Sequence, residues 1–196
     1  MRTDGRTGQD GFTLIELLVV MAAIVTLVAV VVPNSSNLLK SMKARNAARV
    51  VERQLQTARL KAVTNSRSMR VRFDCPASGR LRLLEVTGVA ATDAASNRCD
   101  ETAFPYPGPS DALRSTPSMD SPVVYLPAGT TVSCTGCPPG TSSPLALEFG
   151  PRGTVHAVNV ATDETASFTG DLIIMVTQGG YSNEVRVNEL GRVRFN

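Results

Sequence analysis

Two hydrophobic periods divide this chain. Residues 12–32, FTLIELLVVMAAIVTLVAVVV, form an apolar run with one charged side chain, Glu16, and two other polar ones, Thr13 and Thr26. As a helix rising about 1.5 Å per residue, the run reaches about 32 Å, enough to cross a bilayer core of about 30 Å. Beyond Leu38, small and apolar side chains recur three and four apart at Ala44, Ala47, Val51, Leu55, Ala58 and Ala62. That spacing marks one helix face, and Arg45, Arg49, Arg53 and Arg59 fall largely off it. The pattern predicts one long helix, with a transmembrane half over 12–32 and an amphipathic half over 33–65. Pro33 lies between the halves, where its missing N–H removes a helix hydrogen bond and bends the rod.

Past Asn65 the period falls to two. Met69, Val71 and Phe73 alternate with Arg70 and Arg72, the pattern of a half-buried strand, and the turn Pro76-Ala77-Ser78-Gly79 leads into a second strand over 80–86. Residues 87–121 are rich in Ala, Asp, Ser, Thr and Pro and carry no period; loops of this length are uncommon in compact domains, so they read as a surface insertion, partly mobile. Strand signals return over 123–126, 145–149, 154–160, 171–177, 185–188 and 192–195. Gly150-Pro151-Arg152-Gly153 and Gln178-Gly179-Gly180-Tyr181 read as hairpin turns. The expected fold is α+β: a long N-terminal helix packed on a small antiparallel β head over 66–196.

The apolar run is not an ordinary signal peptide. Such a segment has an apolar region of about 7–15 residues, no acid inside it, and a small-residue cleavage site behind it. Here the run is longer, keeps Glu16 in its first turns and ends on Val-Val-Val-Pro. A plain membrane anchor fits the length but leaves Glu16 without a reason, because a carboxylate in lipid is costly and usually has a partner. Gly11-Phe12-Thr13-Leu14-Ile15-Glu16, behind a short polar leader, resembles the processing motif of type IV prepilins, shared by type IV pilins and type II secretion pseudopilins. The resemblance implies removal of the leader, residues 1–11, between Gly11 and Phe12 by a prepilin peptidase, with N-methylation of Phe12. It implies a bacterial inner-membrane protein with a periplasmic head, drawn into a filament with other pilins or pseudopilins. Glu16 would pair there with the N-terminal amine of a neighbouring subunit.

The C-terminal segments LEFGPRGTV and EVRVNELGRVRFN resemble the two hairpins of the GspH/FimT group of minor pseudopilins. With the N-terminal motif, the resemblance covers residues 11–86 and 145–196. It implies a non-enzymatic subunit of a type II secretion system or type IV pilus, assembling at or near the filament tip. Charge opposes the implied topology. Seven basic residues against Glu52 lie between Lys40 and Lys61, and the positive-inside tendency would hold that side in the cytoplasm.

Composition narrows the rest. The chain is 196 residues, 42% hydrophobic and 5% aromatic without Trp, so its core is aliphatic. The net charge of +3 combines +5 on the helix with −2 on residues 64–196, so the head is slightly acidic. Cys75, Cys99, Cys134 and Cys137 all follow the apolar run. An even count in an exported domain favours disulfides, and Cys75–Cys99 with Cys134–Cys137 is the favoured pairing of three. A zinc site is disfavoured by the single CxxC. A thioredoxin-like redox pair is disfavoured because Pro138-Pro139-Gly140 follows Cys137 directly. His156 is the only histidine and lies in an alternating strand. No catalytic, dinucleotide or phosphate-loop motif occurs, so no enzyme, cofactor or metal is expected.

Nucleic acid is the alternative partner. Gly191-Arg192-Val193-Arg194 resembles a GRxR motif of FimT-type pseudopilins that bind DNA during natural transformation. In a strand, Arg192 and Arg194 project to one side, and Arg186 joins them from the preceding strand. Against this, the slightly acidic head lacks a broad basic field and has few aromatics for stacking on single strands.

Overall fold

The computed structural model describes residues 12–106, 117–142 and 144–196, with the backbone alone of 30–36. The fold is α+β. Helix α1 is Leu14–Asn65, and the chain divides into two compact units, Met1–Leu39 and Lys40–Asn196. Helical structure continues through Pro33. The bend expected at Pro33 lies outside what is described. In the first unit the described apolar side chains are exposed, from Phe12 at 84% and Leu14 at 83% to Val28 at 51%. The last three residues of the apolar run, 30–32, lie within 30–36, whose side chains are not described. Among the described residues no helix is long and apolar enough to cross a membrane.

In the second unit the strands are β1 Met69–Phe73, β2 Arg80–Glu85, β3 Val124–Tyr125, β4 Thr131–Thr135, β5 Ala146–Phe149, β6 Val155–Asn159, β7 Glu164–Ala166, β8 Asp171–Gln178, β9 Tyr181–Asn188 and β10 Val193–Phe195; one turn of helix, α2, spans Ala90–Asp93. They form two antiparallel sheets, one ordered β3-β2-β1-β5-β6-β7 and the other β10-β9-β8-β4. Period-two reading located eight of these strands but not β4 or β7. β4 (TVSCT) holds a single large aliphatic residue and β7 (ETA) none, so neither shows an apolar alternation.

One core joins the helix to both sheets. Ala47, Val51, Leu55, Ala58 and Ala62 of α1 meet Met69, Val71, Leu83, Leu147 and Phe149 of the first sheet and Leu172, Ile174, Val176, Val185 and Val187 of the second. Alanines make up most of this helix face, with Val51 and Leu55 as the larger side chains between the helix and the sheets. Each larger side chain buried here contributes about 1.5–3 kcal/mol.

The outer face of the first sheet departs from the sequence reading. β1 is buried at all five positions rather than on one face. Arg72 lies directly opposite Arg82 in register, and both side chains are buried. Like charges so placed repel. They are tolerated because the 87–121 segment lays carbonyl oxygens over them. Arg72 donates to Ala95 O at 3.2 Å, and Arg82 donates to Ser121 O at 2.8 Å and Phe104 O at 2.6 Å. Burial, with Arg70 and Arg98 nearby, pulls the Arg72 pKa down. Arg70 instead gains two carboxylates, Glu148 at 2.8 Å and Asp163 at 2.6 Å. Burial opposes its charge, but these partners outweigh it and hold its pKa above the ordinary value.

The 87–121 segment is therefore only partly a surface insertion. Asp93 is buried and accepts the N–H groups of Thr87 at 3.0 Å and Gly88 at 2.8 Å. Arg98 is buried on Asp120 and donates to Glu85 O at 3.0 Å, and Cys99 is bonded to Cys75. That bond closes a loop of 24 residues, a constraint on the unfolded chain of about 3 kcal/mol in the chain-entropy treatment. Residues 107–116, the middle of the insertion, lie outside the described residues.

Glu85 ties the same segment from its other end. Burial opposes its charge, but the N–H groups of Ser118 at 2.7 Å and Met119 at 3.0 Å, with Arg67, outweigh that and hold its pKa below the ordinary 4.5. A carboxyl depressed in the folded state stabilises above its unfolded pKa, and this contribution is lost as pH falls through the folded value. Thermal unfolding between about pH 6 and pH 3 should therefore show a Glu85→Gln variant with a shallower acid limb than the parent. Parallel curves would remove Glu85 from the acid response.

Candidate functional site

The first candidate is the start of α1. Thr13 immediately precedes the helix, and its Oγ1 accepts the Glu16 N–H at 3.3 Å, so Thr13 is the N-cap. Thr13-Leu14-Ile15-Glu16 thus has the spacing of a capping box, and Glu16 lies in the first turn, where the helix dipole favours an acid. The Glu16 side chain is exposed and makes no ion pair among the described residues. Phe12 is exposed beside it, and Gly11 lies outside the described residues.

The second candidate is the terminal hairpin. β9 and β10 pair with Arg194 opposite Arg186, and Val187, Val185, Val193 and Phe195 face the core. Arg186 and Arg194 therefore share the outer face. Arg186 is held by Glu184 of its own strand at 2.8 Å, which removes part of its charge from that face. Arg192 precedes β10; its backbone N–H donates to Asn188 Oδ1 at 2.8 Å, and its side chain is exposed.

Gly191 has a packing role. Its φ is +69°, and an added Cβ would lie 2.1 Å from Gly153 O. Arg59 of α1 crosses the same turn and donates to Leu190 O at 3.2 Å, pinning the helix to the hairpin. The glycine of the GRVR sequence is thus required by the meeting of two turns and the helix. Sequence spacing placed Arg59 off the buried face and gave no sign of this contact, because it joins positions 131 residues apart.

The cysteines are joined as Cys75–Cys99 and Cys134–Cys137, with no free thiol among them. The second bond closes the end of β4, an edge strand of the second sheet. His156 faces Glu148 in register and lies 3.3 Å from the Ser167 hydroxyl through Nδ1, while the Glu148 carboxylate is engaged by Arg70 at 2.8 Å. Among the described residues no group of His, Cys, Asp and Glu is arranged to hold a metal.

Residues 6–32 match the prokaryotic N-terminal methylation motif. The motif thus runs into a long helix that precedes an antiparallel β head. Among solved structures, the type IV minor pilin FimU of Pseudomonas aeruginosa is similar at 18% identity over 78% of this chain and 87% of that one, with a TM-score of 0.43. The minor pseudopilin EpsH from the Type 2 Secretion System of Vibrio cholerae is similar at 14% identity over 79% of this chain and 96% of that one, with a TM-score of 0.44. No curated protein matches the chain significantly.

Proposed function

We propose that this chain is a minor pilin or pseudopilin, a non-enzymatic subunit of a type IV pilus or type II secretion system. The observation that carries the reading is the methylation motif over residues 6–32 opening a helix whose apolar side chains, Phe12 to Val28, are exposed in the isolated chain. Such a surface must be covered by lipid before assembly and by neighbouring helices after it. Removal of the 1–11 leader frees the Phe12 amine. A neighbour's Glu16 then neutralises it where water is absent, fixing the register between subunits near the filament tip.

Two variants test this. Gly11→Val should block processing, leaving a precursor about 1 kDa heavier than the mature form on a gel, as expected for eleven residues of a 20.8 kDa chain. Glu16→Gln should be processed normally yet enter filaments poorly. Unchanged processing of the first variant removes the prepilin reading, and normal incorporation of the second removes the charge pair.

Binding of duplex DNA is the second reading, supported by Arg194 lying beside Arg186 on one exposed face. With Arg186 engaged by Glu184, two arginines remain, and the log–log salt slope should not exceed about −1.8. Gel retardation of the full chain tests it. Arg192→Gln with Arg194→Gln should abolish that slope, and Arg45→Gln with Arg49→Gln should not. The reverse result would assign any retardation to the helix.

A further inference from the structure

Opposite its buried face, α1 carries a row that neither the core nor the N-terminal motif uses. Met42, Arg45, Arg49, Arg53, Gln56, Leu60 and Val63 follow one another at spacings of three and four, the seam of a helix that packs on a second helix. All are exposed, the apolar ones included: Met42 at 53%, Leu60 at 66% and Val63 at 48%. The three arginines, four residues apart, repel one another, and none has an ion-pair partner among the described residues. The only acid beside them, Glu52, accepts from Gln56 at 3.0 Å. At its C-terminal end the row opens into a groove of about 430 Å³, lined by Gln56, Arg59, Leu60 and Val63 of α1 and by Gly191, Arg192 and Val193 of the terminal hairpin, large enough for an apolar side chain against Leu60, Val63 and Val193.

We infer that this row docks a helix of a different protein, one presenting carboxylates four residues apart opposite Arg45, Arg49 and Arg53 and an apolar side chain to the groove. A second copy of this chain cannot supply that helix, because α1 contains only two acids, Glu16 and Glu52. A lipid surface would meet the arginines but would not use a concave groove lined in part by Leu60, Val63 and Val193. The inference deepens the pilin reading by giving the chemistry of one neighbour.

The test uses the full chain in phosphatidylcholine nanodiscs and two labelled helical peptides of identical composition. One has glutamates at i, i+4 and i+8 with a leucine further along the same face; the other has them scrambled. The registered peptide should bind at least about tenfold more tightly, the scale of three exposed ion pairs. Arg45→Glu/Arg49→Glu/Arg53→Glu should abolish that preference and transfer it to a lysine version of the peptide, a gain that a misfolded variant would not show. Leu60→Ser/Val63→Ser should weaken binding severalfold.

Equal binding of both peptides, or unchanged binding by the triple variant, overturns the proposal. So does protection of the three arginines from phenylglyoxal by phosphatidylglycerol nanodiscs without peptide, which would assign the row to lipid. Self-association of the chain that competes with the registered peptide would also overturn it. Leader processing is measured separately with Gly11→Val. Failure there removes the pilin reading and leaves the docking result standing, and the converse holds.

Discussion

Arg98→Met is expected to destabilise the head by about 3–5 kcal/mol, read as the loss in unfolding free energy of the detergent-solubilised chain. Arg98 is 1% exposed, donates to both oxygens of Asp120 and to Glu85 O, and lies 4.5 Å from the Phe104 ring centroid. Methionine keeps much of the volume but leaves the buried Asp120 carboxylate with the Glu85 N–H at 2.8 Å as its remaining partner. An uncompensated buried charge costs far more than the pair contributes, so most of the loss comes from Asp120. Arg98→Met with Asp120→Asn should therefore recover a large part of it, since asparagine is neutral and still accepts from Glu85. Additive losses in the double variant would show that the two side chains act independently. Because Arg98 adjoins Cys99, the single variant should also make the Cys75–Cys99 bond more accessible to a thiol reductant.

Gly191→Ala is expected to cost about 3 kcal/mol or more, for a different reason. At φ +69° any side chain is strained, and here the added Cβ would also meet Gly153 O at 2.1 Å and Arg59 Nε at 3.2 Å. The first obstacle is backbone, so one of the two turns must move, and Arg59 would lose its carbonyl partner. Gly180 is the control. Its φ is +87° with open space around it, so Gly180→Ala should carry only the left-handed strain of about 1–2 kcal/mol. Equal losses at the two positions would mean that the turn contact contributes nothing. Since Gly191 holds the hairpin to the helix, loss of DNA binding in a Gly191 variant would report unfolding as readily as a lost phosphate contact.

Much of this molecule can be read locally. The buried face of α1 follows from spacing alone: Ala44, Ala47, Val51, Leu55, Ala58 and Ala62 are all fully buried. β1 spans the predicted residues, and the turns at Gly150–Gly153 and Gln178–Tyr181 join the strands they were expected to join. What failed was any inference about the second face of an element. Arg70 and Arg72 alternate with apolar residues as solvent-facing side chains do, yet they are covered by a segment whose composition is that of a surface loop.

The sequence by itself determined the methylation motif, the long helix and most of the period-two strands, because each depends on residues close along the chain and on backbone geometry. Only the tertiary structure decided that the strands divide into two sheets and that Arg98 meets Asp120 beneath the insertion. It alone set Arg59 and Gly153 against Gly191. Those outcomes depend on which distant groups arrive at the same point. A buried charge and a solvated one are written with the same residue until its neighbours are in place.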